Sequence, residues 1–178
     1  ILFATMSYSR PPEHALPHTI PKIKSALEAD IWWKVSQMKR PLVTCLSTSG
    51  RYSVNYSRKV HNFLQAIDFI PEVSGSDGIL RPPSELKPLR FASREIASLV
   101  LCVLNSSLFR WYIQVFTDCR HVNKREVDNF PLVTDIAQTP DGSWLSFADS
   151  LSKSLKSNSE FRSMNFAHDH LRVQCIIP

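Results

Sequence analysis

Glycine is scarce in this chain, which has four glycines among 178 residues, at positions 50, 75, 78 and 142. None of them stands at the spacing of a glycine-rich loop whose backbone N–H groups surround a phosphate. The sequence therefore lacks a recognisable loop for a nucleotide or a nucleotide-like cofactor. The twelve prolines predict stiff connections between the elements.

Cysteine is also sparse, with four residues that are widely spaced and form no Cys-x-x-Cys pair. This spacing predicts neither a disulfide framework nor a paired zinc motif, and it favours a reducing cytoplasm. Long apolar runs are absent too. The most apolar segment, Ile96–Leu104, is less than half the roughly 20 residues that a membrane span needs. The start, Ile1–Ser9, lacks the pattern of a signal peptide, so we expect no membrane partner.

Acidic residues are in the minority, with 16 Asp and Glu against 21 Lys and Arg, which gives a formal net charge of +5. A surplus of this sign favours a polyanionic partner. The length predicts a single domain with one core. Within it we expect an N-terminal strand and helix over 1–40, a core over 41–135, and a C-terminal helix and strand over 136–178.

Periodicity predicts the elements of the first half. Apolar residues at helical spacing after Thr19 predict a helix that Pro41 ends. A short strand is expected over Leu42–Leu46. Strict alternation predicts a half-buried strand over Arg51–Ser57, and a second strand is expected over His61–Ile70.

The second half is predicted to contain the central helix. Five prolines and glycines make Ser74–Pro88 a predicted loop. Ser93 is a candidate helix cap, and Ile96–Leu104 is apolar on all sides, so it should be buried at the centre. The further expected elements are an aromatic helix over Leu108–Phe116, a helical turn over Arg125–Asn129, a helix capped by Ser143 with Trp144, Phe147, Leu151 and Leu155 inward, and a strand over Arg172–Ile177. The predicted class is α+β, with a short mixed or antiparallel sheet packed against the central buried helix and additional amphipathic helices.

Two groups of residues suggest metal chemistry. Asp77 with Glu85 and Lys87 resembles the acidic–acidic–lysine set of metal-dependent nucleases, but Pro88 makes a strand there unfavourable. A solvated loop is the favoured interpretation. The run from His168 to His170, with Cys175, suggests zinc, but one cluster without a second pair at ligand spacing favours chance.

Basic residues interleaved with aromatic and amide side chains form the remaining candidate site. They fall into two groups: Arg51, Tyr52, Tyr56, Arg58 and Lys59, and then Arg120, His121, Asn123, Lys124 and Arg125. Long cations at element edges can reach phosphates, and arginine and asparagine can bind guanine and adenine edges through paired hydrogen bonds. A solvated charged surface is the alternative interpretation.

The stretch Leu99–Ile113, with its Leu-Asn-Ser at 104–106, is followed by Asp118–Leu132, which ends in Asn129-Phe130-Pro131-Leu132. Together they resemble the target-recognition region of adenine-specific DNA methyltransferases of bacterial restriction–modification and phage-defence systems. The upstream segment Asn55–Arg58 and the segment Phe69–Pro71 also resemble that region. The similarity covers about residues 52–132. Where the family often has glycine before the equivalent of Arg120, this chain has Cys119.

The resemblance implies a division of labour. A separate domain of the same parent polypeptide would bind S-adenosylmethionine, extrude an adenine and methylate it. The present chain would bind double-stranded DNA. It would contain no catalytic residue and would bind no metal and no cofactor. Its two Pro-Pro pairs, at 11–12 and 82–83, lack the Asn/Asp and the aromatic residue of the methyltransferase tetrad. The expected DNA-binding residues are Arg51, Arg58, Lys59, Arg120, Asn123, Lys124 and Arg125.

Within this set the residue types suggest different roles. Arg120 and Asn123 are the candidates for base edges, because a guanidinium and an amide offer paired, directional hydrogen bonds. Lys124 and Arg125 are expected on phosphates, because they open the short helical turn. Asn123 is an equally good candidate for the cap of that turn.

A protein-interaction domain is the main alternative function. In that hypothesis the aromatic pairs Trp32-Trp33 and Trp111-Tyr112 would form a partner surface, although aromatic pairs at helical positions are more often part of a core.

Overall fold

A computed structural model describes residues 21–38, 40–61, 64–81, 83–132, 143–166 and 169–176. The helices are α1 Ala26–Ser36, α2 Arg94–Leu104, α3 Ser107–Phe116, α4 Lys124–Asp128 and α5 Ser143–Ser157, with a 3₁₀ turn over Leu42–Cys45. The strands are β1 Arg40–Pro41, β2 Tyr52–Ser57, β3 Ala66–Ile67, β4 Val73–Ser74, β5 Leu86–Phe91, β6 Pro131–Leu132, β7 Glu160–Phe166 and β8 Asp169–Cys175.

Helix α2 lies at the centre of the domain, as its all-round apolar sequence predicts. Ser93 caps it by accepting a hydrogen bond from the backbone N–H of Ile96 at 3.3 Å. Val100 is fully buried and Leu101 is 2% exposed. The helix contacts β2 on one side and α5 on another. Strands and helices occupy separate stretches of the chain, the strand pairs are antiparallel, and the α+β class is confirmed.

Strand β2 is the middle strand of an antiparallel sheet of order β3-β2-β5. Its apolar face, with Val54 opposite Leu89, belongs to the core. The prediction of a half-buried strand is wrong for the polar face, because Asn55 and Ser57 are also buried. Ser57 lines a cleft of about 430 Å³ together with Val73 of β4 and Val173 of β8, so the second sheet lies across this cleft from the end of β2.

That second sheet has the order β4-β8-β7. The predicted strand over Arg172–Ile177 is found as β8, which begins earlier, at Asp169. Strand β7 pairs with β8 along its whole length, and the sequence pattern does not predict it. A separate two-residue pairing joins β1 to β6, with Arg40 opposite Leu132.

Several predicted elements of the first half differ from those observed. Ser25 caps the first helix, α1, by accepting a hydrogen bond from the Glu28 backbone N–H at 3.2 Å. The expected strand Leu42–Leu46 is the 3₁₀ turn, which directs Leu42 and Cys45 into the core. The expected strand His61–Ile70 is reduced to β3.

The predicted loop Ser74–Pro88 and the predicted face of α5 also need correction. The last residues of that loop begin strand β5, whose Pro88 is tolerated because β5 is an edge strand, in which not every residue has to donate its backbone N–H to a neighbouring strand. On α5, Phe147 is 62% exposed, whereas Ala148 and Ser152 are buried with Leu155. Helices α2 and α5 are in contact, with Ala148 in the core, while the Ser152 hydroxyl donates a hydrogen bond to Asp68 Oδ1 at 2.7 Å.

Some expectations lie outside the described residues, namely the N-terminal strand, the start of the first helix after Thr19, and His168 of the candidate zinc group. Among the helices that the structure describes, none alone has the length and apolar character to cross a membrane. Helices α2 and α3 meet that test only as a pair, and they are bent by 63° at their junction.

Candidate nucleic-acid interface

The two basic groups of the sequence meet in a short antiparallel ribbon. Lys59 lies directly opposite His121. The backbone N–H of Val122 donates to the carbonyl of Arg58 at 2.7 Å, and that of Val60 donates to the carbonyl of Arg120 at 3.3 Å. Helix α4 follows immediately. We call this surface the basic edge, and it consists of Arg58, Lys59, Arg120, His121, Lys124 and Arg125.

A carboxylate shapes the turn that leads into the ribbon. Asp118 Oδ1 accepts hydrogen bonds from the backbone N–H groups of Arg120, at 2.9 Å, and His121, at 3.0 Å. These two bonds hold the pKa of Asp118 below its ordinary value. Cys119, which lies between Asp118 and Arg120 in the sequence, has a φ of 61° and is the one non-glycine residue with positive φ in the described part of the chain. It adopts the left-handed conformation that glycine favours, at the position where the resembling family often has glycine.

Helix α4 is fixed to the core by its apolar residues and by a buried carboxylate. Asn123 occupies its N-cap position, and Glu126 Oε2 accepts the backbone N–H of Asn123 at 3.0 Å. Val127 is fully buried. Phe130, just after the helix, makes edge-to-face contacts with Phe109 and Tyr112 at centroid distances of 5.1 and 5.0 Å. The orientation of α4 relative to α3 is therefore well determined.

The cations of the basic edge differ in how their charge is balanced. Lys124 forms an ion pair with Asp128. Arg125 donates to Glu126 Oε1 from Nε at 3.2 Å and from Nη2 at 3.0 Å. Within the described ranges, the side chains of Arg58, Lys59 and Arg120 form no ion pair, and all three residues are exposed. These three retain an uncompensated charge that a polyanion can neutralise.

Arg51 does not join the basic edge. It precedes β2, whereas Arg58 follows it, so the strand separates the two residues by about 20 Å. Arg51 instead lines a separate hollow of about 240 Å³ beside the ion pair of Arg94 with Asp149. Six of the seven predicted residues are thus brought to one end of the domain, and Arg51 is not.

Two residues that the sequence analysis does not single out support this surface. The Lys22 ammonium donates to the carbonyl of Thr117, and the Lys22 backbone N–H donates to the carbonyl of Val115 at 3.0 Å. No sequence signal marks this contact, because the partners are 95 residues apart. The other residue is Glu126, which the Asn-x-x-Glu spacing of a capping box could have indicated.

Tyr56 connects the ribbon to α4. Burial raises the pKa of this tyrosine, and the carboxylates of Asp128 and Glu126 raise it further, while Arg58 lowers it. The charges of α4 and of the end of β2 therefore both act on the ionisation of this phenol.

Among the described residues, those considered for metal chemistry do not assemble into such a site. Asp77 forms an ion pair with Arg81 at 2.6 Å within its own turn. No group of three or more His, Cys, Asp or Glu side chains suited to a metal occurs among the described residues. Ser57 Oγ lies 2.9 Å from His61 Nε2, but no carboxylate hydrogen-bonds His61 anywhere in the described ranges, so the pair lacks the third group of a hydrolytic triad.

Comparison of the chain with family models, with curated protein sequences and with solved structures found no match.

Proposed function

We propose that this chain is a DNA target-recognition module that belongs to an adenine-specific DNA methyltransferase of the restriction–modification type. One observation supports the proposal above all: the bridge between Lys59 and His121 joins two basic segments into one surface. Several cations can contact the phosphates of one duplex at the same time only if they lie on the same surface of the protein, because the phosphates lie along two continuous backbones.

The segments that carry the resemblance also form a connected structural unit, which supports the proposal independently of charge. Asn105 of the Leu-Asn-Ser stretch accepts from the backbone N–H of Ala66 at 3.0 Å and donates to its carbonyl at 2.8 Å. Phe130 of the Asn-Phe-Pro stretch packs on the aromatic residues of α3. Asn105 thus joins the end of α2 to β3, which pairs with β2, and Phe130 joins the end of α4 to α3.

In this proposal the chain holds the duplex and contributes to the choice of sequence, and methyl transfer belongs to a separate domain of the same parent polypeptide. That domain would bind S-adenosylmethionine, and the present chain would bind no cofactor. A restriction–modification methyltransferase acts on bacterial DNA, so the cytoplasm is the expected location of the chain.

The test is the salt dependence of duplex binding by the chain. Fluorescence anisotropy with a labelled duplex should show an affinity that falls linearly with the logarithm of the salt concentration, with a slope set by the number of neutralised phosphates. A parallel calorimetric titration with S-adenosylmethionine should show no binding. Absence of duplex binding at low salt, or heat from the methyl donor, would contradict the proposal.

The protein-interaction hypothesis retains one observation in its favour. Trp32 and Tyr112 are buried in the core and stack at 6.5 Å, but Trp33 and Leu27 of α1 are 65% and 68% exposed. An apolar protein interface would bind with little dependence on salt, so the same titrations separate the two functions.

A further inference from the structure

The strongest unassigned feature of the basic edge is the contact between Arg125 and the buried carboxylate of Glu126. Glu126 is 1% exposed, whereas the Arg125 side chain is 51% exposed. The exposed guanidinium of Arg125 therefore contacts a carboxylate that is not accessible to solvent.

The geometry of this contact leaves one edge of the guanidinium available. Nε and Nη2 both donate to Glu126 Oε1, at 3.2 and 3.0 Å. A guanidinium has five N–H donors in a rigid plane, and two of them are used. Among the described residues no other group accepts from Arg125. Its remaining donors form a fork whose orientation is set before any ligand arrives.

The charge of the pair decides which ligand suits this fork. The negative charge of Glu126 compensates that of Arg125 and repels a nearby phosphate, so the pair gains little from neutralising the DNA backbone. The O6 and N7 atoms of guanine are uncharged acceptors, and a planar fork binds them through two hydrogen bonds. A fixed fork also loses less side-chain entropy on binding than a free one.

We propose that Arg125 recognises a guanine in the bound duplex and that Glu126 is the residue that positions it. This inference rests on the proposed function. It differs from the sequence-based expectation, in which Arg125 contacts a phosphate and Arg120 a base edge. Arg120 has an exposed side chain with an uncompensated charge, which suits a phosphate, because such a contact depends on charge more than on direction.

The first experiment selects duplexes from a pool with a randomised central segment, using the wild-type chain and the Arg125→Ala, Arg120→Ala and Arg90→Ala variants. Arg90 is an exposed arginine of β5 opposite Ser53, far from the basic edge, and serves as the matched control. We expect Arg125→Ala to reduce the preference for one G·C pair by about ten- to a hundredfold. Its salt slope should stay at the wild-type value, and Arg90→Ala should match the wild type.

The second experiment replaces the selected guanine by 7-deazaguanine, which lacks the N7 acceptor. The wild-type chain should lose affinity for the modified duplex, and Arg125→Ala should bind both duplexes equally. Arg125→Lys keeps the charge but not the fork, so it should behave as Arg125→Ala does. Glu126→Gln should weaken the preference in part. If Glu126→Gln does not fold, the Arg125→Lys variant still tests the fork, because its side chain is exposed.

The outcomes separate this inference from the proposed function. A uniform loss of affinity in Arg125→Ala, with a salt slope smaller by about one, identifies a phosphate contact and overturns the inference while the function stands. The inference is likewise overturned if Arg120→Ala alone removes the preference, or if the wild type binds all duplexes equally. A wild-type chain that binds no duplex overturns the proposed function and the inference with it.

Discussion

Lys59 lies directly opposite His121, and the backbone bonds on either side of this pair hold the segments 58–60 and 120–122 together. The side chains of two residues that lie directly opposite each other in an antiparallel pair project from the same face of the ribbon. The pairing therefore presents two basic side chains at one place, although the entire α2–α3 unit lies between them in the sequence.

Lys59→Ala should weaken binding to every duplex alike and reduce the salt slope by about one, because one phosphate contact is lost. Anisotropy titrations at several salt concentrations, with duplexes of different sequence, measure both quantities. Lys153→Ala, on the exposed side of α5, removes the same charge elsewhere and should leave the slope unchanged. A loss confined to some sequences would instead show that Lys59 contacts a base.

Cys119→Gly should raise the free energy of unfolding by up to about 1 kcal/mol, because glycine adopts a positive φ without a steric penalty. Cys119→Val should lower it by about 1–2 kcal/mol, since a β-branched residue is strained there. Urea unfolding of the three proteins gives the order. Equal stabilities of the valine variant and the wild type would show that the turn relaxes to another conformation.

Asn105→Ala should destabilise the domain by about 2–4 kcal/mol, because it leaves buried backbone groups without partners. The Asn105 side chain accepts from Gln65 N–H at 2.8 Å and donates to the Leu101 carbonyl at 3.0 Å, besides its two bonds to Ala66. Asn158→Ala, at an exposed asparagine, is the matched control and should change the stability by less than about 0.5 kcal/mol. Chemical denaturation measures both, and a small effect at Asn105 would mean that water replaces the lost partners.

Tyr112→Phe should raise the free energy of unfolding by up to about 1 kcal/mol at neutral pH. The hydroxyl of Tyr112 is buried and has no partner in the described part of the chain. Burial, assisted by the charge of Glu126, raises the pKa of this phenol above its ordinary value. The titration of Tyr112 therefore leaves the stability of the wild type unchanged below the pKa of an unfolded tyrosine, about 10, and lowers that stability as the pH rises above it, because the unfolded chain then loses the proton more readily than the folded protein.

The variant should accordingly lose less stability than the wild type between neutral pH and pH values above about 10. Tyr56 and Cys102, whose pKa values are also raised by burial, remain in both proteins and contribute to the residual slope. Urea unfolding at a series of pH values tests this, and parallel curves for the two proteins would contradict the assignment.

The elements that the sequence predicts well are those whose information is local. The burial of Ile96–Leu104 follows from its own composition, because an all-round apolar helix is stable only inside a core. Strand β5 escapes prediction because Pro88 is unfavourable in a strand, and the penalty disappears only at a sheet edge, which depends on the order of the strands. Local patterns carry no information about that order.

The candidate site illustrates the same limit. Both basic groups are visible in the sequence, but the bridge between Lys59 and His121 is a long-range contact with no local signal. The sequence analysis places Arg51 in one group with Arg58 because the two residues are only seven positions apart. An extended strand converts those positions into about 20 Å, more than the Debye length of about 10 Å at moderate salt.

The bridge between the two basic segments also bears on how the domain folds. Contacts between distant segments close a long loop, so their entropic cost must be met before they contribute stability, and they slow folding. Val60 of the ribbon lines a hollow together with Leu104 of α2 and Phe109 of α3, so we expect the ribbon to close after these helices have packed. In a chain that is still folding, the segments 58–60 and 120–122 would not yet be paired. Their charges would be present, but the basic side chains would not lie on one surface. Under the proposed function, such a chain would still be attracted to nucleic acid by its charge, and we expect discrimination between sequences only once the ribbon has formed.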